Sequence, residues 1–159
     1  MRELVFDSHD EMHQLMFGQR LARCVDNTAC VIFLQGDLGA GKTTLVRGFL
    51  RAIGYTEKVK SPTYTLIETY DFPDRAHITV LHIDLYRLKS PDEIEGLSLR
   101  DYLQEKTVFI IEWPENAESK LPPPDLSCSI AFLKDGRQLR LKAHTPRGEE
   151  ILQNMETIA

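Results

Sequence analysis

Residues 30–53 of this chain read CVIFLQGDLGAGKTTLVRGFLRAI. An uninterrupted apolar run, Cys30–Leu34, opens this stretch and is typical of a strand that is buried on both faces of a sheet. The next segment, Gly36–Thr43, matches the pattern GxxxxGK followed by Ser or Thr, without a gap. Apolar residues then recur at helical spacing as far as Ile53, and Gly54 favours a helix end there. The stretch predicts a strand, a phosphate-binding loop and a helix, in that order.

The spacing within this loop suits a nucleoside triphosphate. Glycines allow successive backbone N–H groups to turn inward around phosphate oxygens, and the helix start points its positive end at the same anion. Lys42 would reach the β- and γ-phosphates, and the Thr43 hydroxyl is a hard oxygen ligand suited to Mg²⁺. The alternative interpretation is a glycine-rich turn with an incidental lysine.

Two acidic residues end predicted strands elsewhere in the chain. Glu112 follows the apolar run Val108–Ile111, and Asp84 ends the less apolar segment Leu81–Asp84. A phosphate-binding loop of this kind needs a carboxylate at the end of a neighbouring strand to hold the Mg²⁺ shell. We expect Glu112 and Asp84 to have different roles: one would bind the metal and the other would contact the attacking water. For each, the alternative is a surface acid that closes a strand.

A threonine in a loop supplies a further candidate catalytic residue. Thr63 lies in the segment Ser61-Pro62-Thr63-Tyr64-Thr65, after the helix that follows the loop. A threonine placed there is similar to the switch threonine of GTPases, which senses Mg²⁺ and the γ-phosphate. The alternative is a Ser-Pro turn that leads into a strand.

Two residues beside the acidic pair are candidates of a weaker kind. His82 alternates with Asp84 on one strand face, so it could approach the phosphates, but ordinary packing is the role that we expect for it. Trp113 follows Glu112 directly, so its indole is expected within a few ångströms of the site, either as a packing residue or as a neighbour of the metal shell.

The remaining patterns predict an α/β fold. The order of strands and helices favours a single domain over residues 1–159, a P-loop NTPase-like three-layer sandwich with a mixed central β-sheet. A capping box is expected at Ser8–Glu11, and a hairpin turn at Asp135-Gly136. The predicted strands and helices outside the loop region are Glu3–Phe6, Thr63–Tyr70, Thr79–Tyr86, Val108–Ile111, the alternating segments Leu126–Phe132 and Leu139–Ala143, a first helix after Ser8, a helix over Pro91–Tyr102 broken near Gly96, and a C-terminal helix containing Ile151–Ile158.

Composition excludes several function classes. The net charge of -5 makes the chain a poor autonomous binder of nucleic acid. Its longest apolar run, Ala29–Leu34, is far shorter than the roughly 20 residues of a membrane span, and no basic and apolar leader follows Met1. The cysteines, Cys24, Cys30 and Cys128, lack CxxC spacing and indicate reduced thiols. We therefore expect a cytoplasmic protein with no membrane partner.

Four motifs in order carry a family resemblance. They are GDLGAGKTT at 36–44, SPTYTL at 61–66, HIDLYRL at 82–88 and IEWPE at 111–115. Together they resemble the bacterial TsaE (YjeE) ATPase family. The resemblance implies a Mg²⁺-dependent ATPase that binds ATP or ADP and acts with TsaB and TsaD in the threonylcarbamoyl modification of adenosine 37 in tRNA, so that tRNA is reached indirectly through the complex.

The resemblance also implies roles for individual residues. Thr43 and Glu112 match the family's magnesium positions, and Asp84 is the second acidic candidate. Glu11 and Gly136 match the positions that flank the adenine end, although Gln14 stands near a position where the family often has threonine. The matched phosphate contacts are Asp37, Leu38, Gly39, Ala40, Gly41, Lys42, Thr43 and Thr44.

Rival functions share part of this pattern. A small-molecule kinase would need an arginine-dense lid, which the sequence lacks, and a regulatory GTPase would need an Asn/Thr-Lys-x-Asp element to read guanine, which is also missing. A nucleotide-gated scaffold that hydrolyses slowly overlaps the main interpretation. Because no arginine finger is evident, we expect low intrinsic turnover that partners raise.

Overall fold

Seven strands form one mixed sheet in the part of the chain that the structure describes. This computed structural model describes residues 2–59, 62, 64–103 and 106–157. The strand order is β1-β7-β6-β2-β5-β4-β3. Strands β6, β2, β5 and β4 run parallel, while β7 and β3 pair antiparallel with their neighbours and β1 pairs antiparallel with β7. The strands are β1 (Glu3–Ser8), β2 (Cys30–Gln35), β3 (Ile67–Phe72), β4 (Ile78–Asp84), β5 (Thr107–Glu112), β6 (Leu126–Leu133) and β7 (Gly136–Ala143).

Helices cover both faces of this sheet. Alternate residues of β5 divide between two buried clusters: Val108 and Ile110 join one, and Phe109 and Ile111 join the other. The first cluster holds the apolar faces of α1, α2 and α4, and the second includes Ile94 from the far side. The expected α/β three-layer sandwich is confirmed. The helices are α1 (Glu11–Val25), α2 (Lys42–Ala52), α3 (Leu99–Tyr102) and α4 (Pro146–Thr157), with 3₁₀ turns at Pro91–Leu97, Pro114–Asn116 and Glu118–Lys120.

Two glycines bring α1 and α2 into close backbone contact. A Cβ atom at Gly18 would lie 2.1 Å from the carbonyl oxygen of Leu45, and one at Gly48 would lie 2.1 Å from that of Leu15. Only a residue without a side chain fits at either position, because a real Cβ cannot approach a backbone oxygen so closely. The first helix is thereby held against the helix that follows the loop.

Several expected boundaries are wrong. The strand expected from Thr63 begins at Ile67, since Leu66 has a left-handed φ of 68° that interrupts extended backbone; Ser61 and Thr63 lie outside the described residues. The segment expected to be a helix over Pro91–Tyr102 is a 3₁₀ turn and a short helix. They are separated at Ser98, whose φ is 53°, rather than at Gly96.

The cap of the first helix also differs from the expectation. Ser8 still belongs to β1 and pairs with Arg137 of β7, so it cannot be the N-cap residue. Asp10 takes that place, and its Oδ1 accepts a hydrogen bond from the backbone N–H of His13 at 2.9 Å.

Among the described residues, no helix combines the length and the apolar character that crossing a bilayer requires.

Candidate functional site

The Gly36–Thr43 loop connects the carboxyl end of β2 to the amino end of α2. Gly39 and Gly41 have φ values of 80° and 100°, a left-handed region that residues with a Cβ rarely adopt. Gly41 is the N-cap of α2, and no side chain of its own caps the helix. The first backbone N–H groups of α2 therefore carry the partial positive charge of the helix end toward the loop without a capping oxygen.

Two buried carboxylates lie beside this loop. In the parallel register, Glu112 of β5 is opposite both Leu34 of β2 and Asp84 of β4. Because parallel strands end at the same edge, the loop and both acids share that edge of the sheet. Asp84 is 5% exposed and Glu112 is 3% exposed. The Oδ1 atom of Asp84 accepts a hydrogen bond from the backbone N–H of Tyr86 at 3.0 Å.

Lys42 occupies the space between the loop and the carboxylates. Its Nζ donates to the carbonyl oxygens of Gly36 and Asp37, the latter at 3.3 Å, and lies 4.2 Å from the centroid of the Trp113 ring. Burial lowers the pKa of Lys42, while the negative charges of Glu112 and other nearby carboxylates act in the opposite direction. The side chain is thus an internal cation whose partners are loop carbonyls, an aromatic face and an acidic surrounding.

A cleft with two parts surrounds the loop. We call the first part the acidic lobe; its volume is about 580 Å³, and its lining is residues 38–44 with Asp84, Tyr86, Arg87, Glu112 and Trp113. We call the second part the hairpin lobe; its volume is about 450 Å³, and its lining is residues 8–11 with Gln14, Gly39, Ala40, Gly41, Thr44, Gly136 and Arg137. Loop residues Gly39, Ala40, Gly41 and Thr44 line both lobes.

The hairpin lobe joins parts of the chain that are far apart in sequence. Glu11 at the start of α1 forms an ion pair with Arg47 at 3.3 Å. Gln14 donates from Nε2 to the carbonyl oxygen of Gly41 at 3.1 Å, so α1 is bound to the loop. Arg137 donates from Nη2 to the carbonyl oxygen of Gly39 at 3.4 Å, which binds the β6–β7 hairpin to the same loop.

The structure brings together most of the residues that the sequence selects. Lys42, Thr43, Asp84 and Glu112 line the acidic lobe, and Glu11 and Gly136 line the hairpin lobe. Thr63 lies outside the described residues. Its neighbour Tyr64 is exposed, and the guanidinium carbon of Arg87 lies 4.5 Å from the centroid of the Tyr64 ring.

Sequence reasoning missed two contacts of this site. Arg137 follows the Asp-Gly turn in sequence, but nothing local indicates that it reaches Gly39. His82, expected to pack, is indeed fully buried, yet its Nε2 also contacts Oε2 of Glu112. The alternation of His82 with Asp84 was the available signal, since it placed the ring on the face that carries the acids.

Fold and site together define an α/β protein with a glycine-rich strand–loop–helix unit and paired carboxylates at one edge of a mixed sheet. The family model described as "Threonylcarbamoyl adenosine biosynthesis protein TsaE" matches residues 7–140. The chain belongs to this TsaE family.

Individual relatives agree with the family match. The chain is 41% identical to the tRNA threonylcarbamoyladenosine biosynthesis protein TsaE of Haemophilus influenzae, over 90% of this chain and 91% of that protein. It is 40% identical to the protein of the same name from Bacillus subtilis, over 79% of this chain and 77% of that protein. The crystal structure of Bacillus subtilis YdiB superposes with a TM-score of 0.81 at 27% identity, covering 98% of this chain and 95% of that one.

Proposed function

We propose that this protein is a Mg²⁺-dependent ATPase that serves the threonylcarbamoyl modification of adenosine 37 in tRNA. One observation carries the proposal. The glycine loop, its buried lysine and two buried carboxylates meet at one edge of the sheet, around a single cleft. A cation, free helix N–H groups and acids at that spacing are the parts that phosphoryl transfer to water requires.

The loop would hold the triphosphate. Asp37 to Thr44 would surround the phosphates with backbone N–H groups, and Lys42 would exchange its loop carbonyl partners for phosphate oxygens. An ammonium has three donors and can bind several oxygens as a point charge. Burial disfavours the charged form of Lys42, so an anionic phosphate would stabilise the ammonium more than the loop carbonyl groups do.

The donor set in the acidic lobe fits Mg²⁺. The Thr43 hydroxyl and the carboxylates of Asp84 and Glu112 are hard oxygen ligands that line one space. In the described part of the chain, no group of three or more His, Cys, Asp or Glu side chains is arranged to hold a metal ion. Mg²⁺ does not need such a cage, because it keeps waters and takes few protein ligands beside phosphate oxygens. When bound, it would neutralise charge that develops on the phosphates; one carboxylate would hold its shell and the other would orient the attacking water.

The hairpin lobe would receive the adenine. Glu11 and Gly136 both line it, and the loop residues that it shares with the acidic lobe put it next to the space proposed for the phosphates. We expect ATP to bind better than GTP, because the chain has no Asn/Thr-Lys-x-Asp element to read guanine.

TsaB and TsaD would be the working partners. The relatives named above are tRNA threonylcarbamoyladenosine biosynthesis proteins, and the net charge of this chain is -5. An acidic chain is poorly suited to bind tRNA alone, so contact with tRNA would come through the complex. The lack of an evident arginine finger favours slow hydrolysis by the isolated protein and a higher rate with the partners.

A phosphate-release assay tests this function. The purified protein is measured with ATP or GTP, with and without Mg²⁺, alone and with TsaB and TsaD. We expect Mg²⁺-dependent release from ATP that is weak alone and clearly raised by the partners. Equal or tighter GTP binding in competition would contradict the base preference, and vigorous turnover by the protein alone would contradict the dependence on partners.

A further inference from the structure

The contact between His82 and Glu112 gives a buried residue a role in the site. We propose that His82 is a positioning residue: it holds the Glu112 carboxylate by one oxygen so that the other faces the acidic lobe. This inference rests on the proposed function, because it assigns Glu112 to the Mg²⁺–nucleotide site.

Strand register places the imidazole directly behind the carboxylate. On the parallel pair β4 and β5, His82 is opposite Ile110 and Asp84 is opposite Glu112. His82 therefore lies one same-face position deeper in the sheet than the two acids. Its ring is 0% exposed, and its Nε2 contacts Oε2 of Glu112. Glu112 also lines the acidic lobe, and since Oε2 is engaged by the ring, Oε1 would be the oxygen available to that space.

The hydrogen-bonding of the ring is directed at Glu112. A carboxylate that ligates a metal can only accept, so in the proposed role Nε2–H would donate to it. Among the described residues, Nδ1 of His82 has no hydrogen-bond partner. A leucine or methionine would fill the same place without burying an unpaired nitrogen, which costs free energy. The one polar contact of the ring is thus the contact that orients Glu112.

Such a partner has a known physical effect on ligands of metals. A side chain that donates to a ligating carboxylate fixes its orientation, and its loss typically lowers metal affinity about 10- to 100-fold. Without His82, the Glu112 carboxylate would lose this hydrogen bond and would no longer be held in one orientation. We therefore expect His82 to affect the Mg²⁺-dependent part of nucleotide binding and to leave the Mg²⁺-independent part unchanged.

The experiment compares two substitutions of similar length. His82→Met removes the N–H donor and keeps apolar volume, whereas His82→Gln keeps an N–H donor at the end of the side chain. Isothermal calorimetry measures ADP binding in EDTA and in excess Mg²⁺. We expect His82→Met to reduce the Mg²⁺ enhancement about 10-fold or more, with ADP affinity in EDTA unchanged. His82→Gln should recover most of the enhancement.

A second background separates positioning from general packing. In Glu112→Gln the carboxylate is gone, so adding His82→Met should change the Mg²⁺ enhancement no further. If His82→Met alone fails to fold, His82→Gln still tests the inference, because it keeps an N–H donor and should keep most of the Mg²⁺ enhancement of the unmodified protein.

Three results would overturn the inference: an unchanged Mg²⁺ enhancement in folded His82→Met, no recovery in His82→Gln, or an equal loss on adding His82→Met to Glu112→Gln. In each of these the unmodified protein still binds Mg²⁺–ADP, so the proposed function stands. If the unmodified protein shows no Mg²⁺ enhancement, the proposed function fails and this inference fails with it.

Discussion

The ammonium of Lys42 lies 4.2 Å from the centroid of the Trp113 indole, so the loop lysine packs against the residue that follows Glu112. Trp113 has a left-handed φ of 57°, and its ring packs against that of Tyr86 with 5.1 Å between the ring centroids. The indole is half-buried at the border of the acidic lobe. A cation over an aromatic face is an electrostatic contact that disappears when the cation moves. Trp113 is therefore an internal reporter of the position of Lys42.

Intrinsic fluorescence should respond to nucleotide. Binding of ATP or ADP with Mg²⁺ would draw Lys42 toward the phosphates and alter the charge around the indole, so we expect a saturable change in Trp113 emission. Glu112→Ala should reduce the Mg²⁺-dependent part of that change. An emission spectrum that is indifferent to saturating Mg²⁺–nucleotide, while calorimetry shows binding, would place the chemistry away from this strand end and leave Asp84 as the main acid.

Lys42→Ala should abolish function and leave the fold intact. The ammonium binds loop carbonyls rather than core residues, so its loss should lower the free energy of unfolding by only about 1–3 kcal/mol. Phosphate binding should suffer far more, because the charge that meets the anion is gone. Circular dichroism and thermal unfolding check the fold, and threonylcarbamoyladenosine levels in cells that depend on the variant check the function. Normal modification by this variant would contradict an essential role for the lysine.

Gly48→Ala should destabilise the protein. The added Cβ would lie 2.1 Å from the carbonyl oxygen of Leu15, and a backbone atom can yield only if α1 and α2 separate. We expect a loss of about 1–3 kcal/mol in the free energy of unfolding, measured with urea. Gly96→Ala is the matched control, since a Cβ there meets no atom within 4 Å; it should change stability by less than about 0.5 kcal/mol. Equal effects of the two substitutions would refute the close helix contact.

Stability should fall in alkaline solution. Burial raises the pKa of Cys30 and of Cys128 to about 12, well above the ordinary value of about 8.5. Between those values the folded thiols keep their protons while the unfolded ones lose them, so the unfolded state binds fewer protons and gains stability as pH rises. The free energy of unfolding should drop by about 1.4 kcal/mol per pH unit for each thiol. Urea unfolding from pH 8 to 10.5 measures the slope, and Cys30→Ala with Cys128→Ala should make it shallower.

Local patterns predicted the centre of the fold and failed where distant segments meet. The strand–loop–helix unit at residues 30–53 follows from apolar periodicity and glycine placement, and the mixed sheet with helices on both faces is confirmed. Glu112 and Asp84 were found because each ends an apolar strand. The parallel pairing of β5 with β2 and β4 brings both acids to the edge of the sheet that carries the loop and Lys42.

Other features depend on tertiary register, which leaves no local mark. Ser8 is a plausible cap until β1 pairs with β7 and takes it into the sheet. The contact of Arg137 with Gly39 exists only because the hairpin lies beside the loop. The helix expected over Pro91–Tyr102 is interrupted at Ser98, which has a left-handed φ although it is not a glycine. The position of Gly96 therefore did not predict where the interruption lies.

The pairing of β1 with β7 has a consequence for protein synthesis. A ribosome releases the chain from its amino end, so the glycine loop emerges long before Gly136 and Arg137 do. Until then β1 lacks β7, the strand with which it pairs in the described part of the chain. The hairpin side of the cleft can form only when Ser8 and Arg137 come into register. The lobe proposed for the base would therefore be completed only after Arg137 has emerged, later than the loop proposed for the phosphates.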